Sequence, residues 1–175
     1  MIPGFSYRKK FSDLSEKEIL ALAISSEEDD ASIYRNYAEH LKKDYPDSSK
    51  IFLDMAKVED GHRKVLINKF QSRFGDNIPL IRREHVSGFY ARKPTWLIKN
   101  LSVDRIRLES EMMERDAYNF YMKAAQATTD AGTRKLLGDL AAAEAGHTSV
   151  ADKLIESHAS GDAKEIEART SKRQF

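Results

Sequence analysis

Two Glu-x-x-His steps constrain this chain more than any other feature of its sequence. Glu59 is followed by His62, and Glu144 by His147, so each step joins a carboxylate and an imidazole three residues apart. On an α-helix, residues three apart lie on the same face. Apolar residues recur around both steps at helical spacing, which predicts that both steps face the core of a helical domain.

Four long amphipathic segments are predicted to be helices. The first begins near Ser15, whose Ser-x-x-Glu pattern is typical of a capping box, and runs to about residue 43. The second spans about 46–75, the third begins near Ser102, and the fourth follows the turn at 128–130. Each has an apolar stripe that includes a glutamate. On the third helix the predicted stripe is Leu108, Glu111, Glu114, Tyr118 and Tyr121.

The spacing of these segments predicts an all-α four-helix bundle. Short turns join helices one and two, and helices three and four, so each pair is expected to form an antiparallel helical hairpin. Residues 75–101 are long enough to serve as a crossover between the hairpins, with a short helix predicted around 80–90. We expect the domain to occupy residues 1–160, with residues 161–175 as a polar tail.

An internal repeat relates the two hairpins. The two Glu-x-x-His steps are 85 positions apart. On the preceding helices, Glu27 and Glu111 are 84 positions apart, as are Tyr34 and Tyr118. Two copies of a helical hairpin, each contributing half of one site, are the simplest interpretation.

The glutamates on the apolar stripes require a compensating cation. No lysine or arginine occupies the stripes at matching depth, and an unpaired buried carboxylate costs several kcal/mol. Two divalent metal ions would supply the charge, and a carboxylate and imidazole donor set suits iron or manganese. The alternative is that the glutamates face solvent at a stripe edge. The predicted metal ligands are Glu27, Glu59, His62, Glu111, Glu114, Glu144 and His147.

Other polar residues are assigned roles around this site. Tyr34 and Tyr118 are the tyrosines expected to hydrogen-bond to ligands, and Asp30 is a further candidate for that role. Arg82 and Arg83 are expected to lie on solvated faces. No catalytic residue is predicted beyond the metal ligands, and no site for an organic cofactor.

Composition excludes several classes of function. The chain has 29 basic and 28 acidic residues, so its charge gives no reason to expect a nucleic-acid partner. Without cysteine, it can have no disulfide, no four-cysteine metal site and no thiol catalysis. The sequence has neither a signal peptide nor an apolar run that could cross a membrane, so we expect a soluble, cytoplasmic chain.

Over about residues 15–158 the combined pattern resembles the rubrerythrin branch of the ferritin-like superfamily. The resemblance rests on Glu27 with Tyr34, Glu59-Asp60-Gly61-His62, the pair Glu111/Glu114, and Glu144-Ala145-Gly146-His147. It implies a ferritin-like bundle with two iron ions, or manganese as the alternative metal. Glu59 and Glu144 would bridge the metals, with His62 and His147 as terminal ligands. Rubrerythrin proper carries a four-cysteine module that this chain lacks, so a peroxidase cycle would need an outside electron donor.

A closer resemblance is to the N-terminal ferritin-like domain of bacterial membrane-bound ferritin. The opening helices, the connection from Phe89 to Trp96 and the ending Arg173-Gln174-Phe175 carry it. It implies that residues 1–160 are a cytoplasmic di-iron domain at the inner face of a bacterial membrane. In the parent protein, a transmembrane iron-export domain would follow the tail at 161–175, and only that domain would contact the membrane.

The function implied is binding of Fe(II) and reaction with oxygen or hydrogen peroxide, in the service of iron export and detoxification. The chain would then be a di-iron ferroxidase or a peroxidase-type oxidoreductase. Two alternatives stay open: a non-enzymatic module that senses or collects iron for the exporter, and a rubrerythrin-type peroxidase with an external donor. We expect a homodimer, and the long crossover leaves open a domain-swapped form in which the hairpins exchange.

Overall fold

The helices of the protein begin where the capping residues of the sequence place them. The computed structural model describes residues 8–89 and 101–146. Its long helices are α1 (Glu16–Leu41), α2 (Pro46–Phe74), α3 (Val103–Ala127) and α4, which is helical over 131–146. Ser15 and Glu18 form the predicted capping box at the start of α1, and Ser102 caps α3 by accepting a hydrogen bond from the Arg105 N–H.

The first hairpin is confirmed as antiparallel by contacts at both of its ends. Next to the turn, the Ser49 hydroxyl donates to the carbonyl oxygen of Ala38 at 2.7 Å. At the far end, Arg73 of α2 lies 2.9 Å from Glu16 of α1. Early residues of α1 therefore meet late residues of α2, as in an antiparallel pair.

The first helix of the second hairpin, α3, runs antiparallel to α1. Tyr37, late in α1, donates to Glu109, early in α3, at 3.0 Å. Tyr121, late in α3, donates to Glu27 near the middle of α1. Helices α1 and α3 are therefore antiparallel, and since α4 turns back after 128–130, the four helices run up, down, down and up. This is the predicted bundle of two antiparallel hairpins joined by a crossover.

The core of the bundle consists of two separate apolar clusters with a polar layer between them. One cluster lies around Phe70 and the other around Phe52. Between them α1, α2 and α3 each bury a glutamate, at Glu27, Glu59 and Glu114. The polar layer thus falls near the middle of the bundle, where solvent is excluded from both sides.

The crossover begins as an irregular segment fastened to the first hairpin. Gly75 ends α2 with a φ of 78°, a left-handed conformation that glycine adopts without steric strain. In place of the short helix predicted around 80–90, the described part of this segment, up to residue 89, contains one 3₁₀ turn, Arg83–His85. The next two residues form β2 (Val86–Ser87), which pairs in parallel with β1 (Lys9–Lys10) near the N-terminus.

Some predictions fall beyond what the structure describes. His147 and the tail at 161–175 lie outside the described residues, as does the part of the crossover at 90–100. Among the helices within residues 8–89 and 101–146, none has the length and apolar character needed to span a membrane.

Candidate metal centre

Four side chains from three helices converge in the polar layer. Glu27 comes from α1, Glu59 and His62 from α2, and Glu144 from α4, and one donor atom of each lies within 4.8 Å of the others. His62 Nδ1 is 3.1 Å from Glu144 Oε1 and 3.4 Å from Glu59 Oε2. It is 3.7 Å from Glu27 Oε2. All three glutamates are buried, so this group of donors is shielded from water.

The fourth glutamate of the layer comes from α3. Glu114 is buried and lies close enough to Glu144 to raise the pKa of that carboxyl. Glu111, one turn earlier, is half-buried and does not belong to the group of donor atoms within 4.8 Å. Of the seven ligands predicted from the sequence, four have donor atoms within this group, and Glu114 is buried in the same layer. Glu111 is half-buried, and His147 is outside the described residues.

Two buried tyrosines hydrogen-bond to the glutamates across α1 and α3. Tyr34 of α1 donates to Glu114 of α3 at 2.5 Å, and Tyr121 of α3 donates to Glu27 of α1. The second tyrosine was expected to be Tyr118, which instead is 36% exposed. The sequence did contain a signal for Tyr121, because it follows Glu114 by seven positions as Tyr34 follows Glu27.

Helices α1 and α3 are related by an offset of 87 residues, and the offset of 84 inferred from the sequence is wrong by one helical turn. Each buried residue of α3 lies 87 positions after a buried residue of α1. The buried residues of α3 are Ile106, Ser110, Met113, Glu114, Phe120, Tyr121 and Ala124. Because α3 carries a second glutamate and a second tyrosine one turn away, the sequence permits both offsets, and only packing distinguishes them. The predicted stripe residue Leu108 is accordingly 46% exposed.

Burial and mutual repulsion perturb the ionisation of the cluster. Burial, with a hydrogen bond and the negative charge of Glu27, raises the pKa of Glu59 to about 11. Burial likewise raises the pKa of Glu144 to about 9, and the adjacent Glu114 adds to the effect. Burial lowers the pKa of His62, but its contacts with the carboxylates outweigh burial and raise the pKa to about 12. Without metal, the cluster therefore retains protons.

Arg83 is buried, contrary to the expectation that the Arg82-Arg83 pair lies on a solvated face. Its two terminal nitrogens donate to the two carboxylate oxygens of Asp30 at 2.8 and 2.7 Å, and both side chains are 8% exposed. Arg82 pairs with Asp29 at the edge of the same helix. No local pattern in the sequence predicts this arrangement, because Arg83 comes from an irregular segment 53 positions after Asp30.

The chemistry of the donor set fits divalent metal ions. Among the described residues of the polar layer, four glutamates and one imidazole remain after the Asp30 carboxylate is paired with Arg83. Carboxylate oxygen and imidazole nitrogen together suit iron or manganese, whereas soft metals prefer sulfur. Metal ions would also replace the protons that the metal-free carboxylates retain.

A bundle of two antiparallel hairpins with a buried layer of carboxylates and histidine defines the ferritin-like class of helical metalloproteins. The sequence model of the rubrerythrin family matches residues 18–155, and this chain belongs to the rubrerythrin family. Its members usually bind iron. Membership and the clustered donors together support a metal-binding protein of the di-iron carboxylate kind.

One solved structure supports the fold independently. A hypothetical protein from Pyrococcus furiosus is similar to this chain with a TM-score of 0.65 and 23% sequence identity. The similarity covers 86% of this chain and 94% of that one. No curated protein matches the sequence. At this level of identity the likeness establishes the fold alone.

Proposed function

We propose that this chain binds two Fe(II) ions in its polar layer and that the loaded centre reacts with oxygen or hydrogen peroxide. The observation that carries the proposal is the convergence of the donor atoms of Glu27, Glu59, His62 and Glu144 within 4.8 Å in a buried layer. Glu114 would add a fifth ligand, and Glu111 and His147 would complete the set, with manganese as the alternative metal. Two bound irons would supply the electrons that reduce the oxidant.

The residues of the chain would prepare this site in three ways. Tyr34 and Tyr121 each donate a hydrogen bond to a glutamate on the opposite helix, which fixes the orientation of that carboxylate. The apolar clusters on both sides of the layer exclude water, which strengthens every charge interaction inside. Protons held on Glu59 and Glu144 would leave as metal binds, so affinity should rise with pH.

A more specific proposal concerns the setting of the domain. We infer from the resemblance to bacterial membrane-bound ferritin that residues 1–160 serve iron export and detoxification beside a transmembrane exporter, with residues 161–175 leading to it. The domain would then work at the cytoplasmic face of the membrane. This setting rests on the resemblance and is independent of the metal centre itself.

One observation favours a second function, a non-enzymatic module that senses or collects iron. Several carboxylates that raise one another's pKa lie in the middle of the bundle, so metal binding should stabilise the fold strongly. Such coupling would let iron order the domain and thereby regulate an exporter. The two functions differ in whether bound Fe(II) is oxidised rapidly.

Anaerobic titration with Fe(II), followed by stopped-flow mixing with oxygen or with hydrogen peroxide, tests both functions. We expect two irons per chain and a rapid absorbance change, with the faster oxidant indicating the physiological one. Glu59→Ala should abolish both results, whereas Glu28→Ala, an exposed glutamate beside Glu27, should change neither. Two irons bound without oxidation would favour the sensing module, and no binding would refute both. A peroxidase with a separate donor would additionally turn over peroxide when a rubredoxin-like donor is added.

A further inference from the structure

The buried ion pair of Asp30 and Arg83 lies beside the metal centre without belonging to its ligands. Asp30 follows Glu27 by about one helical turn, and both carboxylate oxygens of Asp30 accept hydrogen bonds from Arg83. The guanidinium is close enough to Glu27 for the two charges to interact. A charge at this depth acts on the centre through a medium of low polarity, where its influence exceeds that of a surface charge.

Arg83 also has a structural task that explains its position. It belongs to the segment 81–83 of the crossover, which lies against α1. The Ser25 hydroxyl donates to the carbonyl oxygen of Ile81 at 2.5 Å, and Arg82 pairs with Asp29. This segment therefore covers the part of α1 that carries Glu27.

The position of Arg83 creates an electrostatic problem for a cation site. Arginine keeps its proton at any accessible pH, so its charge cannot be removed by deprotonation. An unneutralised guanidinium near Glu27 would repel a divalent cation. Arg83 also lines a cavity of about 240 Å³, whose other charged lining residues, Asp116 and Lys123, have opposite signs. The nearby Asp30 carboxylate is placed to cancel the buried charge.

We propose that Asp30 is a positioning residue of the metal centre: it neutralises Arg83, so that the crossover can be fastened beside Glu27 without weakening the binding of divalent cations. This inference rests on the proposed metal site, and it assigns the control of metal affinity and reduction potential to a pair that touches no metal. The charge of Asp30, and not its shape, is the property that matters.

Binding of Mn(II) to the metal-free protein, measured by calorimetry or by the loss of the free-ion electron paramagnetic resonance signal, tests this. Asp30→Asn keeps the size of the side chain and removes the only carboxylate shown hydrogen-bonded to the guanidinium among the described residues, so the dissociation constant should rise about tenfold. The double variant Asp30→Asn with Arg83→Gln removes both charges and should return toward the wild-type value. Arg83→Gln alone should bind at least as tightly as wild type, because the buried guanidinium charge beside Glu27 is removed.

A purely structural role predicts a different pattern. It would make the double variant at least as weak as either single variant, and that result would overturn the inference. The matched control is Asp29→Asn, which makes the same charge change at the more exposed neighbouring pair and should have a smaller effect. With iron bound, Asp30→Asn should also raise the reduction potential, since a positive charge disfavours the oxidised state.

Failure of a variant to fold, failure of the proposed metal site and failure of the Asp30 inference give different results. If Asp30→Asn does not fold, tight binding by Arg83→Gln still supports the inference, and weakened binding by that folded variant contradicts it. If wild type itself binds neither Mn(II) nor Fe(II), the proposed function fails and the inference fails with it. If wild type binds and Asp30→Asn binds equally well, the inference alone is wrong.

Discussion

In the polar layer, protons and metal ions compete for the same donor atoms of individual side chains. The native, metal-free chain holds protons on Glu59 and Glu144 because of burial and neighbouring charge, and it holds one on His62 because three glutamate side chains accept from the ring. In the unfolded chain these groups return to their ordinary pKa values. The difference in bound protons between the two states makes stability depend on pH.

For the metal-free protein, we expect the free energy of unfolding to fall as the pH rises. The stabilising protonated forms are complete below the ordinary pKa values of 4.5 and 6.5, and they are lost toward about 9 for Glu144 and about 11 and 12 for Glu59 and His62. Each proton kept only by the native state lowers the free energy of unfolding by about 1.4 kcal/mol per pH unit. Urea unfolding with a chelator, at several pH values from about 6 to 9, measures this slope. Glu59→Gln should flatten it, and a free energy that rises with pH would contradict the assignment.

The hydrogen bond from Tyr121 to Glu27 should matter for metal binding more than for folding. Tyr121→Phe removes one hydroxyl and leaves the ring in place, so we expect the bundle to fold and the metal dissociation constant to rise about 10- to 100-fold. Tyr37→Phe is the matched control, because its hydroxyl donates to Glu109, outside the donor cluster. Equal losses of Fe(II) affinity in the two variants would show that Tyr121 acts only through general packing.

At the scale of the elements, the sequence predicted the helices well because their ends depend on local chemistry. Capping serines, Pro46 at the first position of α2 and Gly75 at its end act within a few residues. The register of α3 was not predictable in the same way, since a one-turn shift keeps a glutamate opposite a glutamate. The choice is made by contacts with α1, far away in the sequence. The pair Asp30–Arg83 was missed for the same reason.

The start of α1 offers a direct test of this local control. Ser15→Ala removes the hydroxyl that accepts from the Glu18 N–H, so we expect a loss of about 1 kcal/mol in the free energy of unfolding. Ser12→Ala is the control, because that exposed hydroxyl donates to the side chain of the neighbouring Asp13 and does not cap a long helix. Urea unfolding of the two variants should separate them, and equal stabilities would mean that the capping box contributes little.

At the scale of the whole molecule, the described donors come together within a single chain. Glu27, Glu59 and His62 belong to the first hairpin and Glu144 to the second, and their donor atoms meet without a partner chain. In the homodimer expected from the sequence, each subunit would therefore bring these four donors together on its own. The crossover does not have to exchange hairpins between subunits to complete a site.

Mixing two damaged chains distinguishes this arrangement from a domain-swapped dimer. Chains with Glu59→Ala and chains with Glu144→Ala each lack a ligand from a different hairpin. After joint unfolding and refolding, we expect the mixture to recover no Fe(II) binding beyond that of the separate variants. Recovery of up to a quarter of the wild-type sites, the fraction expected for one restored site per mixed dimer at random pairing, would instead establish a swapped dimer. The wild-type chain treated in the same way controls for losses during refolding.

The polar layer also separates the apolar core of the bundle into two halves. The apolar cluster around Phe52 and the one around Phe70 are separate, and the carboxylates lie between them. Repulsion in that layer works against the two ends folding as a single cooperative unit, and anything that neutralises the layer joins them. Metal loading should therefore change the pattern of amide hydrogen exchange along the helices. In the metal-free protein at high pH, the two halves of the bundle should have two distinct ranges of protection factors. With metal bound, they should have one common range. The loaded metal centre would thus couple the two halves of the bundle into one cooperative unit.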